Sequence, residues 1–111
     1  MYIKVDGMMS GTGIRDSVNG GYINPAELGL SQALIARLNT WLEQYIDAHC
    51  SDYADEAVCR ALDKEGLLIA QNVREELPTA KVGYFSDWLA KNVEIERRIW
   101  PGVSDVTGVK L

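Results

Sequence analysis

Apolar side chains recur every three or four residues between Leu34 and Ile46, at Leu34, Ile35, Leu38, Trp41, Leu42, Tyr45 and Ile46. That spacing lays one stripe along a helix of more than three turns. Ser31 stands where an N-cap belongs, its hydroxyl placed to accept from a free amide of the first turn. "AHCSD" breaks the repeat, with Ser51 or Asp52 as the next cap. A second helical pattern runs from about residue 53 to Leu77 and stops at Pro78, which cannot extend a helix. Its expected core stripe is Ala54, Ala57, Val58, Ala61, Leu62, Leu68, Ile69, Val73 and Leu77. Asp55, Glu56, Cys59 and Asp63 then fall on or near the solvated side. Gly66 in mid-helix costs about 1 kcal/mol relative to Ala, which a close approach by a neighbouring element or a local bend would explain.

Elsewhere the pattern alternates. In "MYIKV" Tyr2, Ile3 and Val5 stand around Lys4 and predict a short strand, and "AKVGYFS" predicts a second. "IRD", residues 14–16, is a candidate return into the same sheet. Asn19-Gly20 is a turn signal, and Asn24 followed by Pro25 marks one short helical turn. "DWLAKNVEIERRIWPG" reads two ways: Trp88 and Leu89 suggest a turn of helix, whereas Val93, Ile95, Arg97 and Ile99 alternate like an edge strand. Residues 101–111 read as a loose tail or a short strand. Two helices joined by about five residues form an antiparallel hairpin whose shared apolar side needs a cover. The expected architecture is a single α+β domain over residues 1–111, an antiparallel two-helix hairpin packed on a small β-sheet. Residues 47–56 would lie exposed at one end of it.

With 111 residues, 47% of them hydrophobic and 24% charged, the chain has the composition of an ordinary globular protein with one modest core. No apolar run is long enough to cross a bilayer, and the N-terminus lacks the basic-then-apolar layout of a signal peptide. A cytoplasmic protein is expected, with Cys50 and Cys59 as reduced thiols. The net charge of −5 is unevenly distributed. Residues 41–76 hold nine acidic side chains against Arg60, Lys64 and Arg74, and no Lys or Arg lies between Arg37 and Arg60. Glu43, Asp47, Asp52, Asp55 and Glu56 therefore form an unneutralised stretch. Such a field repels nucleic acid and anionic lipid and attracts basic partners; alternatively the stretch is a solvated face that keeps the protein soluble.

Candidate chemistry is sparse. Five glycines in "GMMSGTGIRDSVNGG", residues 7–21, suggest a phosphate cradle, but the residue five after Gly7 is Thr12 rather than Gly. Gly11-Thr12-Gly13 begins a dinucleotide pattern, yet Asp16 occupies the place of its third glycine and would oppose a pyrophosphate. A flexible loop between short strands is the better reading. His49, Cys50 and Cys59 are too few for a closed zinc site, and adjacent helical residues point about 100° apart, so His49 is poorly placed to activate Cys50. Asp52, Asp55, Glu56 and Asp63 fall on a polar face without a positioned histidine. No catalytic residue, metal ligand or cofactor is assigned.

The segment "INPAELGLSQALIARLNTWLEQY", residues 23–45, follows the layout I-x-P-x-x-L-x-L-S, then an amphipathic helix with a Trp and a Tyr. "ALDKEGLLIAQNVREELP", residues 61–78, adds an acidic helix containing Gly and ending in Glu-Leu, and "KVGYF", residues 81–85, an aromatic strand. Over residues 3–85 the chain resembles small bacterial immunity proteins encoded beside polymorphic toxins, including those of contact-dependent growth inhibition. Residues 86–111 extend beyond that layout. The resemblance implies a protein that does no chemistry and binds the C-terminal domain of a cognate toxin one-to-one. A nuclease toxin needs a basic groove for its polyanion, and an acidic surface would cover it without direct nucleic-acid or membrane binding. Candidate contact residues are Glu43, Asp47, Asp52, Tyr53, Asp55 and Glu56, with Trp88 and Trp100 as weaker ones. Two other classes remain open at this point: a regulatory or adaptor protein binding a basic partner, and a small ligand-binding enzyme using the loop at residues 7–21.

Overall fold

The computed structural model describes residues 1–95; Arg97, Ile99, Trp100 and the expected tail at residues 101–111 lie outside the described residues. Strand β1 (Tyr2–Asp6) pairs antiparallel with β2 (Ile14–Asp16) on one side and parallel with β3 (Lys81–Ser86) on the other. Strand β4 (Lys91–Glu94) pairs antiparallel with β3, giving the order β2-β1-β3-β4. A parallel pair needs a long crossover. The helices α1 (Gln32–Cys50) and α2 (Glu56–Glu76) supply it and pack on the sheet as a hairpin. This is the α+β arrangement expected from the sequence.

Short-range chemistry sets the element ends. Asn24 accepts from the Ala26 amide with Pro25 at the first position of a 3-10 turn, Pro25–Leu28. Ser31 caps α1 by accepting from Leu34 N at 3.2 Å. Glu76, at the far end of α2, accepts from both the amide and the hydroxyl of Ser31 at 2.7 and 2.8 Å, so one carboxylate ties the start of the first helix to the end of the second. Ile3 and Val5 of β1 and Val82 and Tyr84 of β3 are fully buried with Leu38, Trp41 and Tyr45 of α1 and Ile69 and Val73 of α2. The Trp41 indole donates to the Leu62 carbonyl at 2.8 Å, satisfying its one polar group inside the core.

Three expectations are corrected. Helix α2 starts at Glu56 with Asp55 as its cap, not at residue 53 behind Ser51 or Asp52. Its buried stripe is Cys59, Leu62, Asp63, Gly66, Ile69, Ala70 and Val73, displaced by about one residue, or ~100° of rotation, from the expected one in its first half. Ala54, Ala57, Val58 and Ala61 are exposed, whereas Cys59 and Asp63 are inside. The helix turns this way because Asp63 finds three hydroxyl donors in the core and Gly66 admits the Tyr84 ring. Lastly, Trp88 and Leu89 sit in a turn between β3 and β4, not a helix. The alternation of Val93 and Ile95 is that of a real edge strand, both side chains buried.

Candidate partner-binding surface

The parallel strands β1 and β3 both finish against Tyr45, near the carboxyl end of α1. A Cβ on Gly7, the residue after β1, would lie 2.5 Å from Tyr45 Cγ, so only glycine admits the ring there. After β3, the Trp88 amide donates to the Tyr45 hydroxyl at 3.1 Å. The sheet ends, the β3–β4 turn and the helix connection thus gather at one end of the molecule.

The connection itself is tight. Asp52 and Tyr53 both hold the left-handed conformation, each at φ 54°, which few residues other than glycine adopt. The Tyr53 amide donates to the Ala48 carbonyl at 2.8 Å and that of Asp52 to His49 at 3.0 Å. The Tyr53 ring stands edge-on to Tyr45 and His49, with its hydroxyl 2.9 Å from His49 Nδ1. His49 is therefore engaged with Tyr53 and not with Cys50, whose thiol is exposed.

Glu43, Asp47, Asp52, Asp55 and Glu56 are all exposed here, and Tyr53 is half-buried. They are not equivalent. Asp55 caps α2, and Glu56 lies in its first turn, where the helix dipole favours a negative charge, and pairs with Arg60. Asp47 lies in the last turn of α1 and Asp52 just beyond it, where the same dipole disfavours a negative charge. Among the described residues no ion pair holds Glu43, Asp47 or Asp52.

Two features of this end were not legible in the sequence. Asp87, in the β3–β4 turn, is half-buried without a hydrogen bond or ion pair among the described residues. Its burial, and then the Asp6 carboxylate, raise its pKa above the ordinary value, with Arg15 and His49 pulling the other way. The other feature is a groove of about 550 Å³ between the helices at their connected end, with Asp47 on the α1 wall and Asp55 on the α2 wall. Ala48, Ala54, Val58 and Ala61 line it, and Val58 is 45% exposed. A second depression continues it from Gln44 and Glu65 toward Ala36, where Glu65 is already bonded through both oxygens to Arg37 at 2.6 and 2.8 Å.

The glycine-rich stretch is packed at Gly7, Gly11 and Gly13, whereas residues 18–21 are exposed and nothing lies within 4 Å of a Cβ placed on Gly20 or Gly21. Asp6, fully buried, accepts from Arg15 Nε at 2.7 Å, the Tyr22 hydroxyl at 2.9 Å and the Met8 amide at 3.2 Å. Gly13, at φ 95°, lies against Leu38. Among the described residues no group of His, Cys, Asp and Glu could hold a metal ion, and no helix is long and apolar enough to cross a membrane.

Layers, sheet order and this end of the molecule define a class: a two-layer α+β fold presenting an acid-rimmed groove beside its helix connection. The chain belongs to the Serratia CdiI immunity protein-like family, whose model matches residues 3–87, from β1 through β3 into the following turn. No curated protein and no solved structure matches it.

Proposed function

We propose that the protein neutralises a cognate bacterial toxin in the cytoplasm by binding its C-terminal domain one-to-one, without chemistry of its own and without a cofactor. The toxin domain is read as a nuclease, because a nuclease must keep a basic cleft for its polyanionic substrate. Covering that cleft with the acidic end of this molecule blocks the substrate. Family membership supports the immunity role. The observation that carries the acidic mechanism is the placement of Asp47 in the last turn of α1 and Asp52 just beyond it, without an ion pair among the described residues, where each charge opposes the dipole of that helix. Charge that works against the fold points to a role outside it. Glu43, one turn before Asp47, extends the field, and Tyr53, Asp55 and Glu56 complete the surface.

Co-expression with the toxin domain encoded beside it tests the reading. Cells should survive, and the purified pair should form a one-to-one complex whose association slows steeply with added salt. Absence of protection would sink the immunity role. Protection with salt-independent association would leave that role and remove the electrostatic mechanism.

A further inference from the structure

The first half of α2 carries more apolar surface than the core uses. Ala57, Val58 and Ala61, with Ala54 just ahead of the cap, continue a helical spacing, yet the fold buries Cys59, Leu62 and Asp63 instead and leaves that strip outside. Three of its members line the inter-helix groove, whose α1 wall is built by Gln44, Asp47, Ala48 and Ser51 at spacings of three and four. The small side chains let a partner approach the helices closely, and the cavity has room for a full apolar side chain.

The charges at the rim say what kind of partner enters. Glu65 is already neutralised by Arg37, but Asp47 and Asp55 face the groove from opposite walls with no cation paired to them among the described residues. The negative end of the α1 dipole adds to them. A second copy of this chain would bring like charge to like. We infer that the groove receives a segment of the toxin domain that inserts one apolar side chain between Asp47 and Asp55 and brings a Lys or Arg to each of them. This rests on the immunity reading and names the element of the toxin that the surface recognises.

Ala61→Trp is the direct probe, because Ala61 is exposed, lines the groove and lies outside the core. Asp47→Asn with Asp55→Asn is the second: it removes the rim charge while asparagine keeps the cap on α2. Calorimetric titration of the purified toxin domain should show A61W weakening the complex on the order of 100-fold, with thermal stability of the free chain unchanged. The double variant should slow association about tenfold at low salt and little at high salt. D47N alone should raise the stability of the free chain while weakening the complex, a combination that a purely structural role does not produce. If A61W binds like wild type while wild type protects cells, the groove assignment is wrong and the immunity role stands. A drop in the stability of free A61W would mean the chain already fills its own groove, and a concentration-dependent dimer abolished by A61W would mean a second copy does; either overturns the proposal. If wild type neither binds nor protects, the groove assignment falls with the immunity reading.

Discussion

The Tyr84 hydroxyl donates to the Asp63 carboxylate across 2.6 Å, joining the central strand β3 to the middle of α2 inside the core. Asp63 also accepts from the Tyr45 hydroxyl at 2.9 Å and the Ser86 hydroxyl at 2.6 Å. Those last two hydroxyls in turn accept from the Trp88 and Leu89 amides, so one buried carboxylate positions the β3–β4 turn beside the helix connection. Burial first, and the Asp63 charge after it, push the Tyr84 phenol far above its ordinary pKa, keeping it a donor. Tyr84→Phe should therefore destabilise the protein by about 2 kcal/mol, the scale of a hydrogen bond to a charged group. Asp63→Ala should lose about 3–5 kcal/mol, because it strands three buried hydroxyls. Urea unfolding measures both, and the pair should be strongly non-additive. Additive losses would mean that the network does not act as a unit.

Gly66 lies one turn beyond Asp63 and faces the same ring. A Cβ there would come within 2.7 Å of the Tyr84 hydroxyl oxygen and Cζ, with the ring carbon Cε1 closer still. Helix propensity alone favours Gly66→Ala by about 1 kcal/mol. The Tyr84 ring cannot retreat without leaving Asp63, so overpacking should win and the substitution should cost about 1–2 kcal/mol net. A stabilised G66A protein would show that the ring has room to move.

Helix α1 was legible in full because its polar and apolar positions mean what they say: Ser31 caps it, and Leu38, Trp41 and Tyr45 are buried. Pro78 ended α2 as expected, and β1 and β3 followed from alternation. The buried face of α2 departs from its hydropathy pattern because Asp63 and Gly66 look like surface residues in any such pattern. What buries them is a set of hydroxyls and a ring 18 to 23 residues away from Asp63 in sequence. Long-range hydrogen bonds leave no local periodicity. Asp87 leaves no local signal for a related reason: the parallel pairing of β1 with β3 sets the end of β3 beside Asp6, far away in sequence. The five acids were visible as a run without Lys or Arg; the difference between Asp55, which caps, and Asp47, which opposes its helix, required the helix ends.

That difference can be measured at Asp55. Asp55→Ala removes the acceptor for the Val58 amide and should cost about 1 kcal/mol, whereas Asp55→Asn should cost only a few tenths. Thermal unfolding of the two variants separates capping from charge. Equal losses would mean that charge on the α2 dipole, rather than the hydrogen bond, does the stabilising.

Asp52 should behave oppositely. Its φ of 54° strains an L-residue, and its charge lies at the wrong end of α1. Asp52→Gly relieves both, at the cost of extra freedom in the unfolded chain. The net expectation is a gain of about 0.5 kcal/mol in the free protein, read as a small rise in melting temperature. The same variant should associate more slowly with the toxin domain. Lower stability in D52G would show that the aspartate side chain contributes to the turn.

Asp87 predicts a pH dependence. Burial and Asp6 raise its folded pKa above 3.8, so the folded state holds this proton more tightly than the unfolded one. Below pH 3.8 both states are protonated and nothing is lost at this site. As pH rises through the folded value the carboxyl must ionise in a half-buried place, and stability falls and stays lower. Asp87→Asn cannot ionise there. It should be more stable than wild type at neutral pH, and the difference should shrink as the solution is acidified and vanish below pH 3.8. Paired melting curves across that range decide it, and a D87N protein less stable than wild type at pH 7 would show that the charge is satisfied in the folded protein. Binding sharpens the test. A toxin cation brought beside Asp87 would favour its ionised form, so in the pH range around its raised folded pKa the complex should release a proton, a release that D87N abolishes. Proton counting by calorimetry in buffers of different ionisation enthalpy would detect it.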